Sequence, residues 1–228
     1  MRIYVYFIRL CVVCIIYGLL LGYILPGNID KKVVPDISDM SMRNMNPDDI
    51  DKLPKELKEY NEYIREEFKY FPVAYSKESN FVEYVNSWGY ERSYGGDRVH
   101  EGTDIMGLVN KRGHYPIVSA TDGVVEEIGW LELGGYRIGI RTKSGLYIYY
   151  AHLYSYAPDI DKGDNVCAGE LLGYMGDSGY SKVEGTVGNF DVHLHLGIYV
   201  PTEEYGELSV NPYFFLKSIE NNLVIYNY

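Results

Sequence analysis

Two histidines stand two residues apart in the run NFDVHLHLGIYV, residues 189–200. Side chains alternate along a β-strand, so His193 and His195 would share one face, about 6 to 7 Å apart at the backbone. The opposite face would be apolar and consist of Val192, Leu194, Leu196 and Ile198. Such a pair is either the polar outer face of a half-buried strand or part of a site, because buried imidazoles need partners for both ring nitrogens. The rest of the chain must decide between these interpretations.

A second candidate motif, HEGTDIM, contains a histidine and an aspartate four residues apart, His100 and Asp104. On a helix, H-E-x-x-D would resemble the H-E-x-x-H zinc signature, with Glu101 as general base. Gly102 and Thr103 are poor helix-interior residues, however, and the flanking segments have no helical period. We therefore favour an extended segment that bends at Gly102 and brings His100 and Asp104 to one point.

A further candidate, His152, ends an alternating run in which Leu146, Ile148 and Tyr150 precede it on the same face. Catalytic zinc sites usually take three nitrogen or oxygen ligands from the protein and leave one position for water. Two histidines and one carboxylate would meet that need, and two histidines would remain for positioning or proton transfer. The fifth histidine, His114, is predicted to lie in a loop before Pro116.

The cysteines exclude other kinds of zinc site. Cys11 and Cys14 lie in an apolar N-terminal run, which leaves Cys167 alone in the rest of the chain. Neither a disulfide framework nor a cysteine-based zinc cluster is therefore expected. Cys167 stands in a glycine-rich turn and is predicted to be a small buried residue.

Short strands from residue 72 onward must position the candidate side chains. The turn sequence at 121–123 separates two predicted strands, and the one at 143–145 closes a predicted hairpin. The 25 tyrosines favour strands, and the 24 glycines supply turns. These features predict an all-β domain over residues 72–228.

The segment before this domain has a different pattern. Residues 10–25 carry no charge and follow two arginines, which predicts a membrane anchor over residues 1–26 with the N-terminus inside. A cleaved signal peptide is the alternative, although no small-residue cleavage site follows. Residues 27–71 are predicted to form a linker and an amphipathic helix, whose apolar face consists of Leu57, Tyr60, Ile64 and Phe68. In either case, the domain would lie outside the cytoplasm.

The charge of the chain narrows the choice of partners. Its formal net charge is −11. This balance argues against nucleic acid, or an anionic membrane surface, as the main partner. Acidity alone identifies no substrate.

The region from about residue 72 to residue 215 resembles the lysostaphin-type (LytM-like) zinc metallopeptidases of bacterial cell walls. The segments that carry the resemblance, in the order of the family, are HEGTDI, IVSATDGVV, LYIYYAHL, DKGDNVCAGELLGYMG and VHLHLGI. The resemblance implies a compact antiparallel β domain that holds one zinc ion at the floor of a groove. This sequence departs from the family pattern at Gly135, where the family often has an asparagine.

The resemblance also implies roles for individual residues. His100, Asp104 and His195 would be the zinc ligands. His152 and His193 would remain free of the metal and would orient or deprotonate the attacking water and stabilise the intermediate. Tyr94, six residues before His100, is a candidate phenol donor to the oxyanion, or else a packed surface tyrosine.

We therefore expect a zinc-dependent endopeptidase that uses a metal-bound water to hydrolyse peptide bonds in peptidoglycan cross-links or stems. It would be a single-pass protein of the bacterial cell membrane with its catalytic domain on the wall side. The alternative is a catalytically silent scaffold or regulator that binds cell-wall or sporulation proteins. A zinc module acting on a protein outside the wall is a third possibility. The sequence does not indicate which bond is cut, and a His₂Asp site would also accept other divalent ions.

Overall fold

The structure is a computed structural model that describes residues 55–77, 81–203 and 206–227. Helix α1 spans Lys55–Glu67 and helix α2 spans Tyr213–Ile219. Between them lie twelve strands in the described residues: β1 (Val82–Tyr84), β2 (Glu91–Arg92), β3 (Arg98–Val99), β4 (Thr103–Gly107), β5 (Pro116–Val118), β6 (Gly123–Leu131), β7 (Gly135–Arg141), β8 (Tyr147–Tyr156), β9 (Asn165–Val166), β10 (Leu171–Met175), β11 (His193–Thr202) and β12 (Gly206–Val210).

An antiparallel sheet forms the body of this part of the chain. Its main order is β1-β4-β11-β8-β7-β6-β9, with β12 paired to β11, and β10 paired to both β5 and β8. Strands β2 and β3 form a separate two-stranded hairpin. The predicted antiparallel β fold is confirmed, and the expected turns join β5 to β6 and β7 to β8.

The register of three neighbouring strands places functional residues in one row. On β4 and β11, Asp104 pairs with His195, and on β11 and β8, His195 pairs with Ala151. The pairing of β7 with β8 is irregular at this point, because it shifts between Tyr136 and Ile138. A shift of this kind is a β-bulge, which re-aims the side chains beside it.

The opposite face of the same strands forms the core. The cross-strand neighbours Thr103, Leu196, Tyr150 and Ile138 are all fully buried there. The four apolar residues predicted to face away from the histidines, Val192, Leu194, Leu196 and Ile198, are buried as well. The alternation read from the sequence is therefore correct along β11.

The predicted amphipathic helix exists as α1, and its apolar side chains pack against the core. Ile64, and Phe68 just beyond the helix end, are buried, and Tyr60 packs beside them. Helix α2 was not predicted, and it buries Phe215 and Leu216.

Two other expectations have different outcomes. The predicted membrane anchor, residues 1–26, lies outside the described residues, as does the linker up to residue 54. Among the helices that are described, none has the length and apolar character needed to cross a bilayer.

The prediction that Cys167 is buried is wrong, because its side chain is exposed. It follows Val166, the last residue of β9, in a turn where the backbone rather than a packed side chain makes the contacts.

Candidate metal centre

The three predicted metal ligands come from two adjacent strands and the bend before one of them. His100 precedes β4, Asp104 lies within it, and His195 stands opposite Asp104 on β11. The predicted bend at Gly102 is present, and it requires glycine. A Cβ atom there would lie 2.6 Å from both the His195 ring and the carbonyl oxygen of Leu196.

The ligand atoms form a nearly equilateral triangle. His100 Nε2 lies 2.9 Å from Asp104 Oδ1 and 2.9 Å from His195 Nδ1, and His195 Nδ1 lies 3.0 Å from Asp104 Oδ1. Zinc binds imidazole nitrogen and carboxylate oxygen at about 2.0–2.2 Å, so ligands of one ion stand about 3 Å apart. Among the histidine, cysteine and acidic side chains of the described residues, these three have the mutual spacing of a metal site.

The protonation of His100 shows why this cluster suits a cation. Its Nδ1–H donates to the carbonyl oxygen of Ser87 over 3.0 Å, so the neutral ring directs an unprotonated Nε2 at Asp104 and His195. A carboxylate oxygen and a ring nitrogen with lone pairs converge there in a site where His100 is only 2% exposed. Such acceptors repel one another unless a positive charge lies between them, and two imidazoles with a carboxylate are a donor set that zinc prefers.

The second oxygen of Asp104 has a partner of its own. Arg92 on β2 donates to Asp104 Oδ2 over 2.6 Å. Burial opposes ionisation of Asp104, but the contacts with His100 and His195 hold the pKa of the carboxyl well below its usual range. Burial lowers the pKa of His195 to about 4, so its ring is neutral at pH 7. Asp104 and His195 are therefore in the protonation states that metal binding requires.

The other two histidines face the same site with a free ring nitrogen. His193 donates Nδ1–H to the carbonyl of Asp191 over 2.7 Å, and His152 donates Nδ1–H to the carbonyl of Ser178 over 2.8 Å. Each neutral ring therefore keeps an unprotonated Nε2. The two ring centroids lie 4.7 Å apart, and His193 Nε2 is 3.8 Å from Asp104 Oδ1.

His152 has two unusual properties. Its backbone φ is 63°, in the left-handed region, which residues other than glycine rarely adopt. Such conformations are concentrated at functional sites. Burial, followed by the neighbouring rings of His193 and His195, lowers its pKa well below the ordinary value. The bulge at this point of β8 thus holds a neutral imidazole against the site.

The structure does not bring Tyr94 into contact with these histidines. Its ring is 39% exposed and stacks on Tyr180, with ring centroids 4.4 Å apart. Tyr180 is the residue beside the site, because its ring lies 5.9 Å from that of His152 and 4.9 Å from that of Phe190. The role of Tyr94 stays a prediction.

The four histidines open onto a groove of about 440 Å³. Tyrosine rings on β8 and β11 line it, namely Tyr147, Tyr149 and Tyr199. Gly139 on β7 and Gly134 in the turn before it leave room for these side chains, because a Cβ atom at either position would lie 2.0 Å from a tyrosine hydroxyl, that of Tyr147 or Tyr149 respectively. The tyrosine-rich strands therefore provide an aromatic wall of the groove beside the metal ligands.

Two other residues considered in the sequence lie apart from the metal ligands. Glu101 lines the groove, but its carboxylate accepts a hydrogen bond from Tyr199 at 3.2 Å instead of joining the cluster. His114 lies in a loop, as predicted, with its ring edge-on to Tyr115. Residues 103–107 are a strand, which excludes the helical zinc signature.

Sequence reasoning missed several groove residues. Arg92, Arg98 and Arg137 line the groove, as do Tyr180 and Glu207. The repeated arginines in YERSYGGDRVH, just before the first metal motif, were the available signal for two of them. Nothing local in the sequence indicates that Arg137 reaches the same groove.

Comparison with known proteins agrees with this geometry. The sequence profile of peptidase family M23 matches residues 98–212, which is half of the chain and includes all four site histidines and Asp104. The chain belongs to peptidase family M23. Arg92 and Tyr94 precede the matched residues of this M23 domain.

The chain is similar to parts of two named bacterial proteins. The L-Ala–D-Glu endopeptidase of Bacillus subtilis is 43% identical over 139 residues, which cover 60% of this chain and 40% of that enzyme. Lysostaphin of Staphylococcus staphylolyticus is 32% identical over 85 residues, 36% of this chain and 16% of that protein. This chain thus spans less than half the length of either relative.

A solved structure shares the fold. The crystal structure of a protein assigned as the glycyl-glycine endopeptidase lytM of Ruminococcus gnavus is 55% identical, with a TM-score of 0.69, and covers 75% of this chain and 68% of that one. The M23 domain described here is therefore an antiparallel β domain of the LytM and lysostaphin type, and its family is one of peptidases.

Proposed function

We propose that this M23 protein is a zinc-dependent endopeptidase that hydrolyses peptide bonds in the cross-links or stems of peptidoglycan. The observation that carries the proposal is the convergence of His100 Nε2, Asp104 Oδ1 and His195 Nδ1 within 3.0 Å of one another. His152 and His193 face the same groove. The names of the relatives support a peptidoglycan substrate.

His100, Asp104 and His195 would hold the ion, one per chain. Zinc in such a site supplies Lewis-acid chemistry, which polarises a carbonyl group and makes water more acidic. The hydrogen bond from His100 to Ser87 fixes the ring that binds, and Arg92 fixes the carboxylate of Asp104. Partners of this kind orient metal ligands.

His193 and His152 would accept and transfer the proton of the attacking water. Hydrolysis of an amide moves one proton from the attacking water to the leaving amine. Both rings offer an unprotonated Nε2, since their Nδ1–H groups are engaged by backbone carbonyls. A base role suits His152 better than stabilisation of an oxyanion, because an oxyanion needs a protonated Nε2 and burial opposes that charge.

We further propose that the domain acts outside the cytoplasm and is tethered to the cell membrane. The uncharged run of residues 10–25 supports this location. The location outside the cytoplasm holds whether the segment is retained as an anchor or removed as a signal peptide, but the tether requires that the segment is retained. The N-terminal sequence of the mature protein, isolated from cells, distinguishes the two.

The function is tested with the purified full chain, its His195→Ala variant and purified sacculi. We expect about one zinc per chain and release of soluble peptides by the wild-type protein, and loss of both in the variant. Folding of the variant is checked by circular dichroism. Equal peptide release by wild type and variant would contradict the proposal, as would a zinc-loaded wild type that releases no peptide.

A further inference from the structure

The groove contains a buried arginine with unused hydrogen-bond donors. Arg137 on β7 is only 9% exposed, yet its Nε and Nη1 atoms have no hydrogen-bond partner among the described residues. Its Nη2 makes one long contact, 3.4 Å, with Glu127 Oε2. Glu127 is shared, because Lys162 donates to its other oxygen over 2.8 Å. Buried guanidinium groups normally pair with carboxylates, since leaving such donors unpaired is costly.

The register brings this arginine to the metal site. Asp104, His195 and Ala151 form one row across β4, β11 and β8, and Arg137 lies opposite Ala151 and His152 at the bulge between β7 and β8. Two strand spacings, about 10 Å, therefore separate the backbones of Arg137 and His195. Both side chains line the same groove.

The surroundings of Arg137 suit an anionic ligand in addition to its long ion pair with Glu127. The guanidinium is near the phenols of Tyr147 and Tyr149, and its charge opposes the rise in their pKa that burial causes. Glu207 in the same groove is already paired, because Arg141 donates to it over 2.6 Å. Nη1, which has no partner, can bind a carboxylate through charge-assisted hydrogen bonds beside these aromatic rings, while the unpaired Nε–H points to the other edge of the guanidinium.

We propose that Arg137 forms a carboxylate-binding subsite, so that this enzyme prefers peptides with a free carboxylate close to the bond that is cut. The proposal rests on the proposed endopeptidase function and names its substrate class. An extended peptide advances about 3.3 to 3.6 Å per residue, so the carboxylate belongs to a residue within about three positions of the scissile bond. The substrate carboxylate would accept hydrogen bonds from the unused donors of Arg137 and would offset its positive charge.

The experiment compares one preparation of sacculi in two forms. In the first, the stem-peptide carboxylates are free, and in the second they have been converted to carboxamides with carbodiimide and ammonium. The zinc-loaded full chain is assayed on both, and the ratio of the two rates of peptide release is the measurement. We expect the wild type to act on the free-carboxylate form about ten to a hundred times faster, the range of a hydrogen bond to a charged group.

Variants assign this preference to Arg137. Arg137→Gln is expected to bring the ratio close to one, chiefly by slowing release from the free-carboxylate form, while zinc content stays near one per chain. The matched control is Arg65→Gln, which removes an exposed guanidinium from helix α1. It should keep the wild-type ratio.

The outcomes separate this proposal from the function on which it rests. If the wild type releases no peptide from either form, the endopeptidase function fails. If it acts equally on both forms, or if Arg137→Gln slows both equally, the function stands and the carboxylate subsite is rejected. Should Arg137→Gln not fold, inhibition of the wild type by soluble stem peptides decides, because equal inhibition by the free and amidated peptides would overturn the subsite.

Discussion

Strand β11 carries two different surfaces on its two faces. On one face, His193 and His195 point to the groove, where neighbouring strands add Asp104 and tyrosine rings. On the other face, Leu194 and Leu196 are fully buried in the core. One face of the strand therefore stabilises the fold and the other carries the candidate site. Because successive side chains point to opposite faces, each buried residue holds in place the functional residues next to it in sequence.

The sharpest test of this separation substitutes adjacent residues on opposite faces. His195→Ala should reduce metal binding and peptide release at least a thousandfold, since it removes a metal ligand, but should change the unfolding free energy of the metal-free protein by about 1 kcal/mol or less. Leu194→Ala should destabilise the fold by about 2 to 5 kcal/mol while the folded fraction still binds zinc. Zinc titration and urea unfolding of both variants measure the two effects. Similar destabilisation by both substitutions would contradict the division of faces.

The groove face of β11 should also make the free energy of unfolding depend on pH, because it carries histidines, whereas Leu194 and Leu196 on the core face do not titrate. The pKa of His195 is about 4 in the folded protein, because burial disfavours its charge, and about 6.5 when unfolded. Between these values the unfolded chain binds more protons, so the unfolding free energy of the metal-free protein should fall as the pH is lowered from about 6.5 to about 4. The loss from this residue amounts to about 3 kcal/mol.

Urea unfolding in the presence of a chelator, at intervals from pH 7 to pH 4.5, measures this slope. His152, whose pKa burial lowers as well, acts in the same direction. His195→Gln should therefore reduce the slope without abolishing it. An unchanged slope in this variant would mean that His195 does not titrate as the structure indicates.

A third test contrasts two glycines of the β4 region. Gly102→Ala places a Cβ atom 2.6 Å from the His195 ring, so it should weaken zinc binding about ten- to a hundredfold. Gly107→Ala places one 2.6 Å from the ring of Tyr115, a fully buried residue. It should lower stability and leave zinc affinity within about threefold. Isothermal titration with zinc and thermal unfolding distinguish the two, and equal zinc affinities would show that the bend does not position His195.

These contrasts also show what the sequence could reveal. Alternation predicted which side of β11 the histidines occupy, and Gly102 predicted the bend, because both depend on residues that are neighbours in sequence. The ligand set came from a family resemblance, since spacing alone did not say which three of the histidines and acids converge. The core face was predictable for the same local reasons.

What the sequence could not reveal depends on long-range register. Arg137 reaches the groove only because a bulge in β8 brings His152 and Ala151 opposite it, and no local pattern predicts a bulge there. Tyr180, rather than Tyr94, lies beside His152, and its φ of 52° is a left-handed conformation that its residue type does not predict. Cys167 is exposed in the turn after β9, although its residue type favours burial.

Arg92 offers a smaller test on the groove face, because it acts on the metal through Asp104. It donates to Asp104 Oδ2, the oxygen that does not face the histidines. Arg92→Gln should weaken zinc binding about tenfold, and Arg92→Lys should recover part of this loss, because it restores the charge but not the planar fork. Zinc dissociation constants measured by competition with a chelator provide the readout. Full affinity in Arg92→Gln would mean that the ion pair does not orient the ligand.

The smallest expected effect concerns Tyr94, at the rim of the groove. Tyr94→Phe keeps the ring that stacks on Tyr180 and removes only the hydroxyl group. Because the Tyr94 ring stacks on Tyr180, and it is Tyr180 whose ring lies beside that of His152, we expect peptide release to fall by no more than about threefold. A direct donor to the oxyanion would instead cost a hundredfold or more in kcat. The rate on sacculi at saturating enzyme separates the two, and a loss of that larger size would place the catalytic phenol at Tyr94 and require the rim to close over the substrate.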